Sequence, residues 1–294
     1  MAKLSFSGHE SFICKHFWLK KGYDFLIQEH KFSEESAVID LGVGKNMVSS
    51  IRFWLKAFAL TNESDELQEI ADRVFNSVYG LDPYIEDIGT AWLLHYLLVK
   101  HNRASIYNLV FNEYRKESFD FTKYKLTQFL ERKCDETESS FNNNTVEKDL
   151  SAFIRSYIVV EGKKVDVEED YSGILPDLNL LSHTRIRNEK GELEDHYTIQ
   201  NSERDDLPWE IVLYNILDND VYGETISFKE IEVGDNSPGV VFAMSEKGLY
   251  SKIESMVANY GGDITFSSTA GNRVLTLRRE RINKYDILSK YYGS

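Results

Sequence analysis

The sequence predicts a mainly α-helical protein with an α+β C-terminal part. Apolar residues recur at helical spacing through the first half of the chain, and only four prolines occur in 294 residues. The second half contains short alternating stretches around turn residues, as β-hairpins do. Because this length corresponds to roughly two domains, we expect a helical domain over residues 1–150 and an α+β domain over residues 151–294.

The helices of the first half are predicted from apolar periodicity and capping residues. The clearest covers residues 45–60, where one face carries Met47, Ile51, Trp54, Leu55 and Phe58. Two helices are predicted before it, over 8–29 and 32–41, and the glycines at positions 42 and 44 predict a turn between the second and the third. Further helices are expected near 63–78, 85–100, 104–117, 122–134 and 145–159.

The second half is predicted to mix hairpins with helices. Alternating stretches within 178–200 surround a turn at 188–191, and a second hairpin is expected over 263–277. Pro208 is suited to the first turn of a helix, and Ser245 is a good N-cap for a helix over 246–260 that the glycines at 261 and 262 end. A short helix near 227–231 and a final helix over 281–292 complete the expected order.

Charge and composition exclude several classes of protein. The net charge is −14 and the sequence pI is about 5.0, which excludes a general attraction of the whole surface to nucleic acid or an anionic membrane. The charge is uneven, however. Basic residues exceed acidic ones at the two ends: residues 1–60 contain eight basic and six acidic residues, and residues 271–294 contain six basic and two acidic residues. Acidic residues dominate between them: residues 61–90 contain one basic and eight acidic residues, and residues 201–240 contain two basic and ten acidic residues.

The cysteine content and the apolar runs point to the cytoplasm. Cys14 and Cys134 are the only cysteines, which excludes a disulfide framework. No apolar run approaches the ~20 residues that span a bilayer, and the first residues lack the apolar region of a signal peptide. We therefore expect a cytoplasmic protein without membrane contact.

Residues 32–60 follow the plan of a helix-turn-helix, with a short helix, a glycine turn and a longer helix whose outer face is basic. No acidic residue occurs between positions 43 and 62. In this motif the first turns of the second helix contact base edges in the major groove, and lysines hold phosphates. The candidate DNA-binding residues are Lys45, Asn46, Ser49, Ser50, Arg52 and Lys56. The alternative is a surface helix with a solvated basic stripe.

Residues 208–279 follow the order of a winged helix, namely a helix, a short helix, a longer helix and a β-hairpin. Arg273 at the wing, with Arg278 and Arg279 close behind it, adds three candidate DNA-binding residues. The longer helix carries Lys247 and Lys252 among glutamates, which weakens the case for DNA contact. A structural or protein-docking role for this unit is the alternative.

Other candidate chemistry is weaker. The segment 42–46 lacks the spacing and the hydroxyl residue of a nucleotide phosphate loop. His9, Cys14 and His16 would not share one helix face, which disfavours a metal site.

His9 and Glu10 are adjacent, which leaves a general acid–base role open. The alternative is that these residues only cap a helix and pack against the core. No Ser-His-Asp order, paired-Cys zinc spacing or dinucleotide fingerprint occurs. We therefore expect no catalytic residue, no metal and no cofactor, and favour a non-enzymatic protein.

Several motifs together resemble a bacterial family catalogued as domain of unknown function 4007. They are Ser5-Phe6-Ser7-Gly8-His9-Glu10-Ser11-Phe12, Trp18-Leu19-Lys20-Lys21-Gly22, Leu41-Gly42-Val43-Gly44-Lys45-Asn46-Met47-Val48, Ile51-Arg52-Phe53-Trp54 and, near the C-terminus, Gly239-Val240-Val241-Phe242-Ala243-Met244-Ser245 with Gly248-Leu249 and Thr269-Ala270-Gly271. The resemblance implies no established catalytic residue. It implies a genomic setting beside phosphoadenosine-phosphosulfate-reductase-like proteins, in phage-defence or DNA sulfur-modification clusters.

These observations favour a DNA-binding accessory or regulatory protein of a phage-defence or DNA-modification system of the phosphorothioation type. The expected partners are duplex DNA and sulfur-transfer or other defence enzymes, and homo-oligomerisation is left open. The alternative is an adaptor that docks partner enzymes through its acidic stretches without touching DNA. Alanine at Arg52 and Lys56 is expected to lower both the DNA affinity and its salt dependence.

Overall fold

A computed structural model describes residues 3–159, 173–188, 190–269 and 271–293. The chain is about half helical and contains two small antiparallel sheets, so the predicted mixture of helical and α+β structure is confirmed. It forms two compact units. Unit 1 consists of Met1–Glu86 and Leu97–Ile199, and unit 2 consists of Asp87–Tyr96 and Gln200–Ser294. The main division therefore lies at residues 199 and 200, whereas residue 150 lies inside the helix Asn143–Tyr157.

Unit 1 is built from short helices and a small sheet. Its helices are α1 (Trp18–Ile27), α2 (Ala37–Leu41), α3 (Lys45–Ala57), α4 (Glu69–Phe75), α6 (Ser105–Asn108), α7 (Arg115–Glu117), α8 (Lys123–Glu136) and α9 (Asn143–Tyr157). Helix α5 (Ile88–His101) contributes residues to both units, and the π-helical segment Leu109–Tyr114 joins α6 to α7. The strands β1 (Asp120–Phe121), β2 (Ser182–Arg187) and β3 (Leu193–Thr198) pair antiparallel in the order β1-β3-β2.

Helix α3 buries its apolar face within unit 1, except that Met47 in its first turn is half-buried. Ile51 and Leu55 are 0% exposed and Trp54 is 1% exposed. The Trp54 ring meets the ring of Tyr107 edge-on at 6.2 Å, and Tyr107 in turn meets Phe153 of α9 at 5.3 Å. These ring contacts connect α3 through Tyr107 to α9, while the opposite side of its first turns is exposed.

The predicted helix over 8–29 is wrong in its first half, since α1 begins only at Trp18. Residues 3–16 run as a loop in which Ser7, Gly8, Glu10 and Ser11 all have positive φ. This conformation is incompatible with a right-handed helix. The loop is held instead by long-range hydrogen bonds, which periodicity along the sequence does not reveal.

Unit 2 mixes helices with a second three-stranded sheet. Its elements, apart from the residues of α5, are α10 (Trp209–Asp218), β4 (Thr225–Ser227), α11 (Phe228–Val233), α12 (Pro238–Val241), α13 (Glu246–Asn259), β5 (Ile264–Thr269), β6 (Asn272–Leu277) and α14 (Lys284–Tyr292). The strands pair antiparallel in the order β4-β6-β5. The predicted hairpin is confirmed, with Ile264 opposite Leu277.

Capping residues explain where the helices of unit 2 begin. Ser245 is the N-cap of α13, as predicted, and its hydroxyl accepts a hydrogen bond from the Gly248 N–H at 3.2 Å. Ser227 and Glu230 form a reciprocal capping box at the start of α11. Among the described residues no helix is long and apolar enough to cross a membrane.

Candidate functional site

The turn between α2 and α3 is made by two glycines with different conformations. Gly42 ends α2 with φ +61°, a left-handed conformation, and its N–H donates to the Ile39 carbonyl at 3.0 Å. Gly44 is extended and serves as the N-cap of α3, without a side chain that could bind the first N–H groups. No acidic residue lies in the first turn of α3. No side chain therefore caps the first N–H groups of α3 or neutralises the positive end of its dipole, which favours an anion there.

Three of the predicted DNA-binding residues lie on the exposed face of these first turns. Lys45, Asn46 and Ser49 are all exposed. The Ser49 hydroxyl makes a weak hydrogen bond to the Lys45 carbonyl at 3.4 Å, which leaves its lone pairs accessible. These side chains combine a cation, an amide and a hydroxyl, which are groups that contact phosphates and base edges.

Ser50 has a structural environment that excludes contact with DNA in this conformation. Its side chain is 0% exposed, and its hydroxyl donates to the His9 carbonyl at 3.0 Å. Ser50 thus connects α3 to the N-terminal loop. The prediction placed it with the exposed residues because serine is polar, whereas it lies on the side of α3 that faces this loop.

Arg52 and Lys56 are bound to the segment that follows α3. Arg52 Nε donates to both carboxylate oxygens of Asp65 at 2.9 and 3.0 Å. Lys56 is only 7% exposed, lies 3.1 Å from the same carboxylate and donates to the Glu63 carbonyl at 2.7 Å. Burial alone would raise the pKa of Asp65, but the hydrogen bonds from Arg52 and Lys56 outweigh it and lower that pKa. The basic stripe is thus neutralised towards the C-terminal end of α3.

We expect Lys56→Ala to lower the free energy of unfolding by about 1–3 kcal/mol, because it removes a buried cation from Asp65 and a bond to the Glu63 carbonyl. Urea denaturation measures the effect. Lys45→Ala is the matched control on the same helix and should change stability by about 0.5 kcal/mol or less. Equal effects of the two substitutions would contradict this role of Lys56.

The contribution of Asp65 also has a defined pH dependence. Since the pKa of Asp65 is lower in the folded protein, its stabilisation is complete above its unfolded pKa of about 3.9. It is lost as the pH falls through the lower folded value. The difference in stability between wild type and Lys56→Ala should therefore shrink only in strongly acidic solution.

The arginines of the β5–β6 region are also engaged within unit 2. Arg273 pairs with Glu246 and its guanidinium lies over the rings of Phe228, at 4.3 Å, and Tyr250, at 5.6 Å. Arg279 donates to the carbonyls that end α10. Arg278 is 54% exposed and lies 3.7 Å from a carboxylate oxygen of Asp263. Arg273 and Arg279 thus stabilise the unit, whereas Arg278 keeps an accessible guanidinium.

His9 is buried, contrary to the exposed position that acid–base chemistry with Glu10 requires. Its Nδ1 accepts a hydrogen bond from the Ser11 N–H at 3.1 Å, so the proton resides on Nε2, which donates to Asp149 at 2.9 Å. The Ser7 N–H donates to both oxygens of the same carboxylate at 3.0 Å. The Nε2 of His9 and the Ser7 N–H therefore hold the N-terminal loop on α9, while Nδ1 stabilises the loop itself.

The other residues of this sequence motif do not converge on His9. Cys14 is buried, which raises the pKa of its thiol, and a ring nitrogen of His16 bonds to the Tyr84 carbonyl at 2.7 Å. Among the residues that the structure describes, no group of three or more His, Cys, Asp and Glu side chains could hold a metal ion.

Asp149 was missed by sequence reasoning, although a signal for it exists. It is 3% exposed and lies on the buried side of α9 between Val146 and Phe153. Charged residues are rarely buried unless they are paired. A lone carboxylate at helical spacing among apolar residues therefore indicates a buried partner elsewhere in the chain.

Comparison with known proteins places this architecture in a family. The model of the family described as "Protein of unknown function (DUF4007)" matches residues 6–292. The chain belongs to the DUF4007 family. Two solved structures are similar to it. An SspB crystal structure has a TM-score of 0.80 and 25% identity, covering 98% of this chain and 88% of that chain. A magnesium ion-bound SspB structure has a TM-score of 0.80 and 24% identity, with the same coverage. No curated protein matches.

Proposed function

We propose that this DUF4007 protein is a DNA-binding accessory protein of a phage-defence or DNA-modification system, of the phosphorothioation type. The observation that carries the proposal is the exposed, unmasked start of α3, where Lys45, Asn46 and Ser49 share one surface. The family resemblance and the likeness to SspB are compatible with this setting.

The DNA contact would be made in the manner of a helix-turn-helix. The order of helix α2, the glycine turn and the 13-residue helix α3 supports this arrangement. Lys45 would hold a phosphate, while Asn46 and Ser49 would face base edges or the sugar-phosphate backbone. Because few cations take part, the affinity should be moderate and should fall as salt is raised.

Unit 2 would support this function rather than bind DNA through its hairpin. The order of α10, β4, three helices and the β5–β6 hairpin supports a winged-helix-like role for this unit. Arg273 and Arg279 are bound within the unit, and Lys247 of α13 pairs with Glu203 at 2.7 Å. We therefore assign unit 2 a structural or protein-docking role and retain Arg278 as its exposed cationic candidate.

The proposal is tested by fluorescence anisotropy with labelled duplex DNA between about 50 and 200 mM salt. Wild type should bind, and Lys45→Ala should weaken binding and reduce the salt slope by about 1 because one phosphate contact is lost. Lys123→Ala is the matched control, since Lys123 is likewise the exposed first residue of a helix. Plain and phosphorothioate-containing duplexes are compared in parallel to identify any preference for modified DNA.

Two outcomes would contradict the proposal. One is the absence of binding at about 50 mM salt, where phosphate contacts are strongest. The other is an equal loss of affinity in Lys45→Ala and Lys123→Ala, which would show a diffuse attraction without a specific surface. Asn46→Ala adds a separate readout, because loss of a base contact relaxes sequence preference while the salt slope stays unchanged.

A further inference from the structure

Gly44 is a glycine that the fold itself does not require. Its φ of −67° and ψ of 158° suit most residue types, unlike the φ of +61° at Gly42. A Cβ at position 44 would meet no described atom within 4 Å. Six other helices of the described chain begin with a capping side chain, namely Thr122, Asn142, Ser227, Ser237, Ser245 and Asn283. The bare backbone before α3 therefore indicates that a group from outside the chain approaches it closely.

Lys21 of α1 brings a cation to the same turn. Its exposed side chain donates to the Leu41 carbonyl at 2.9 Å, directly before Gly42. The carboxylates that line a groove with Lys21 have other partners, since Asp24 pairs with Lys20 and Asp40 lies 3.5 Å from His30. The ammonium of Lys21 thus adds a positive charge beside the glycine turn that these two carboxylates do not neutralise.

The first turn of α3 supplies a second cation and backbone donors. Lys45 is exposed, and no acidic residue lies in this turn. The N–H groups of Met47 and Val48 donate to the Gly44 carbonyl at 2.9 and 3.0 Å. Because the first N–H groups of a helix point out of its N-terminal end, those of Lys45 and Asn46 are directed towards the open space at Gly44. Two lysines and two backbone donors therefore adjoin one open position, and all four favour an anion.

We propose that the glycine turn holds one phosphate of the DNA backbone, with Lys21 and Lys45 as its cations and Gly44 as the position that lets the phosphate reach the backbone of α3. This inference rests on the proposed function and specifies which chemical group of the DNA lies at the start of α3. Phosphate contacts fix the orientation of a protein on the duplex, whereas contacts to base edges specify the sequence. Asn46 and Ser49 remain the candidates for base contacts.

Gly44→Ala tests the open position. The methyl group meets no described atom, and its poorer capping is offset by restriction of the unfolded chain, so the urea midpoint should change little. The affinity for labelled duplex DNA, measured by fluorescence anisotropy, should fall about tenfold, the equivalent of one hydrogen bond to a charged group. Gly223→Ala is the matched control, since Gly223 is exposed and a Cβ there also meets nothing within 4 Å.

Gly44→Ser separates DNA binding from stability. The serine hydroxyl caps α3 and occupies its first N–H groups, so the urea midpoint should rise slightly while the DNA affinity falls. A merely structural role of position 44 would move both quantities in the same direction.

Lys21→Gln tests the second cation. The glutamine amide keeps a donor for the Leu41 carbonyl but removes the charge, so DNA binding should weaken and the salt slope should fall by about 1. Lys21→Arg keeps the charge and should retain most of the affinity. Lys123→Gln, the same change at the exposed first residue of α8, should leave the affinity and the slope unchanged.

The outcomes distinguish this inference from the proposed function. Weaker binding in Gly44→Ala and Lys21→Gln, with both controls unchanged, supports a phosphate at the glycine turn. Binding that is lost in Lys45→Ala but equals wild type in Gly44→Ala or in Lys21→Gln would overturn this inference alone. Equal losses in the variants and their controls would also overturn it. Absence of wild-type binding at about 50 mM salt would overturn both proposals.

Discussion

Asp149→Ala is expected to lower the free energy of unfolding by about 3–5 kcal/mol, the largest effect we predict for a single side chain. The Asp149 carboxylate is 3% exposed and accepts hydrogen bonds from His9 and from the Ser7 N–H. Its removal leaves a buried imidazole N–H and a backbone N–H without acceptors. Urea denaturation followed by circular dichroism measures the change.

The matched control is a second histidine–aspartate pair with the same geometry at the surface. His183 and Asp195 lie 2.8 Å apart, and the Asp195 side chain is 46% exposed. Asp195→Ala should lower the free energy of unfolding by about 1 kcal/mol or less, because solvent replaces the lost interaction. If both substitutions had the same effect, burial would not be the cause of the stabilisation at Asp149.

Gly248→Ala is expected to lower the free energy of unfolding by about 3 kcal/mol, at the upper end of the usual cost of overpacking. A Cβ at position 248 would lie 2.4 Å from the carbonyl oxygen and 2.8 Å from the Cα of Glu203. That backbone cannot yield easily, because the Ser245 N–H donates to the Ser202 carbonyl at 2.8 Å. Relief of the clash therefore requires α13 to separate from this segment.

Gly261→Ala is the control for Gly248→Ala within the same unit. A Cβ at position 261 would meet only the Val257 carbonyl oxygen, at 3.5 Å, which is ordinary van der Waals distance. We expect a change of about 1 kcal/mol or less, with either sign, since the added methyl group also restricts the unfolded chain. Thermal and urea unfolding of the two variants, measured in parallel, give the two changes in stability. A similar loss of stability in both variants would show that the steric contact at Gly248 is unimportant.

Local sequence signals predicted several elements closely. The strong apolar stripe from Met47 to Phe58 predicted α3, whose observed bounds are Lys45–Ala57. Ser245 predicted the start of α13, and turn residues predicted both hairpins. These signals succeed because capping, turn formation and amphipathic periodicity all involve residues that are close together in the chain.

The loop before α1 shows why other features could not be predicted. Helical spacing of Phe12, Phe17 and Trp18 favoured a helix, but the backbone of this region is bound by Asp149 and Ser50, which lie far away in sequence. Long-range bonds to buried groups outweigh local periodicity.

The sequence by itself determined the mixed α+β class, the positions of α3 and of both hairpins, and the uneven charge of the chain. Only the tertiary structure decided which polar residues of α3 are accessible. Lys45, Asn46 and Ser49 are exposed, while Ser50 and Lys56 are buried against a loop and an acidic segment. The physical reason is that periodicity defines the faces of a helix, whereas long-range packing defines which of those faces another part of the chain covers.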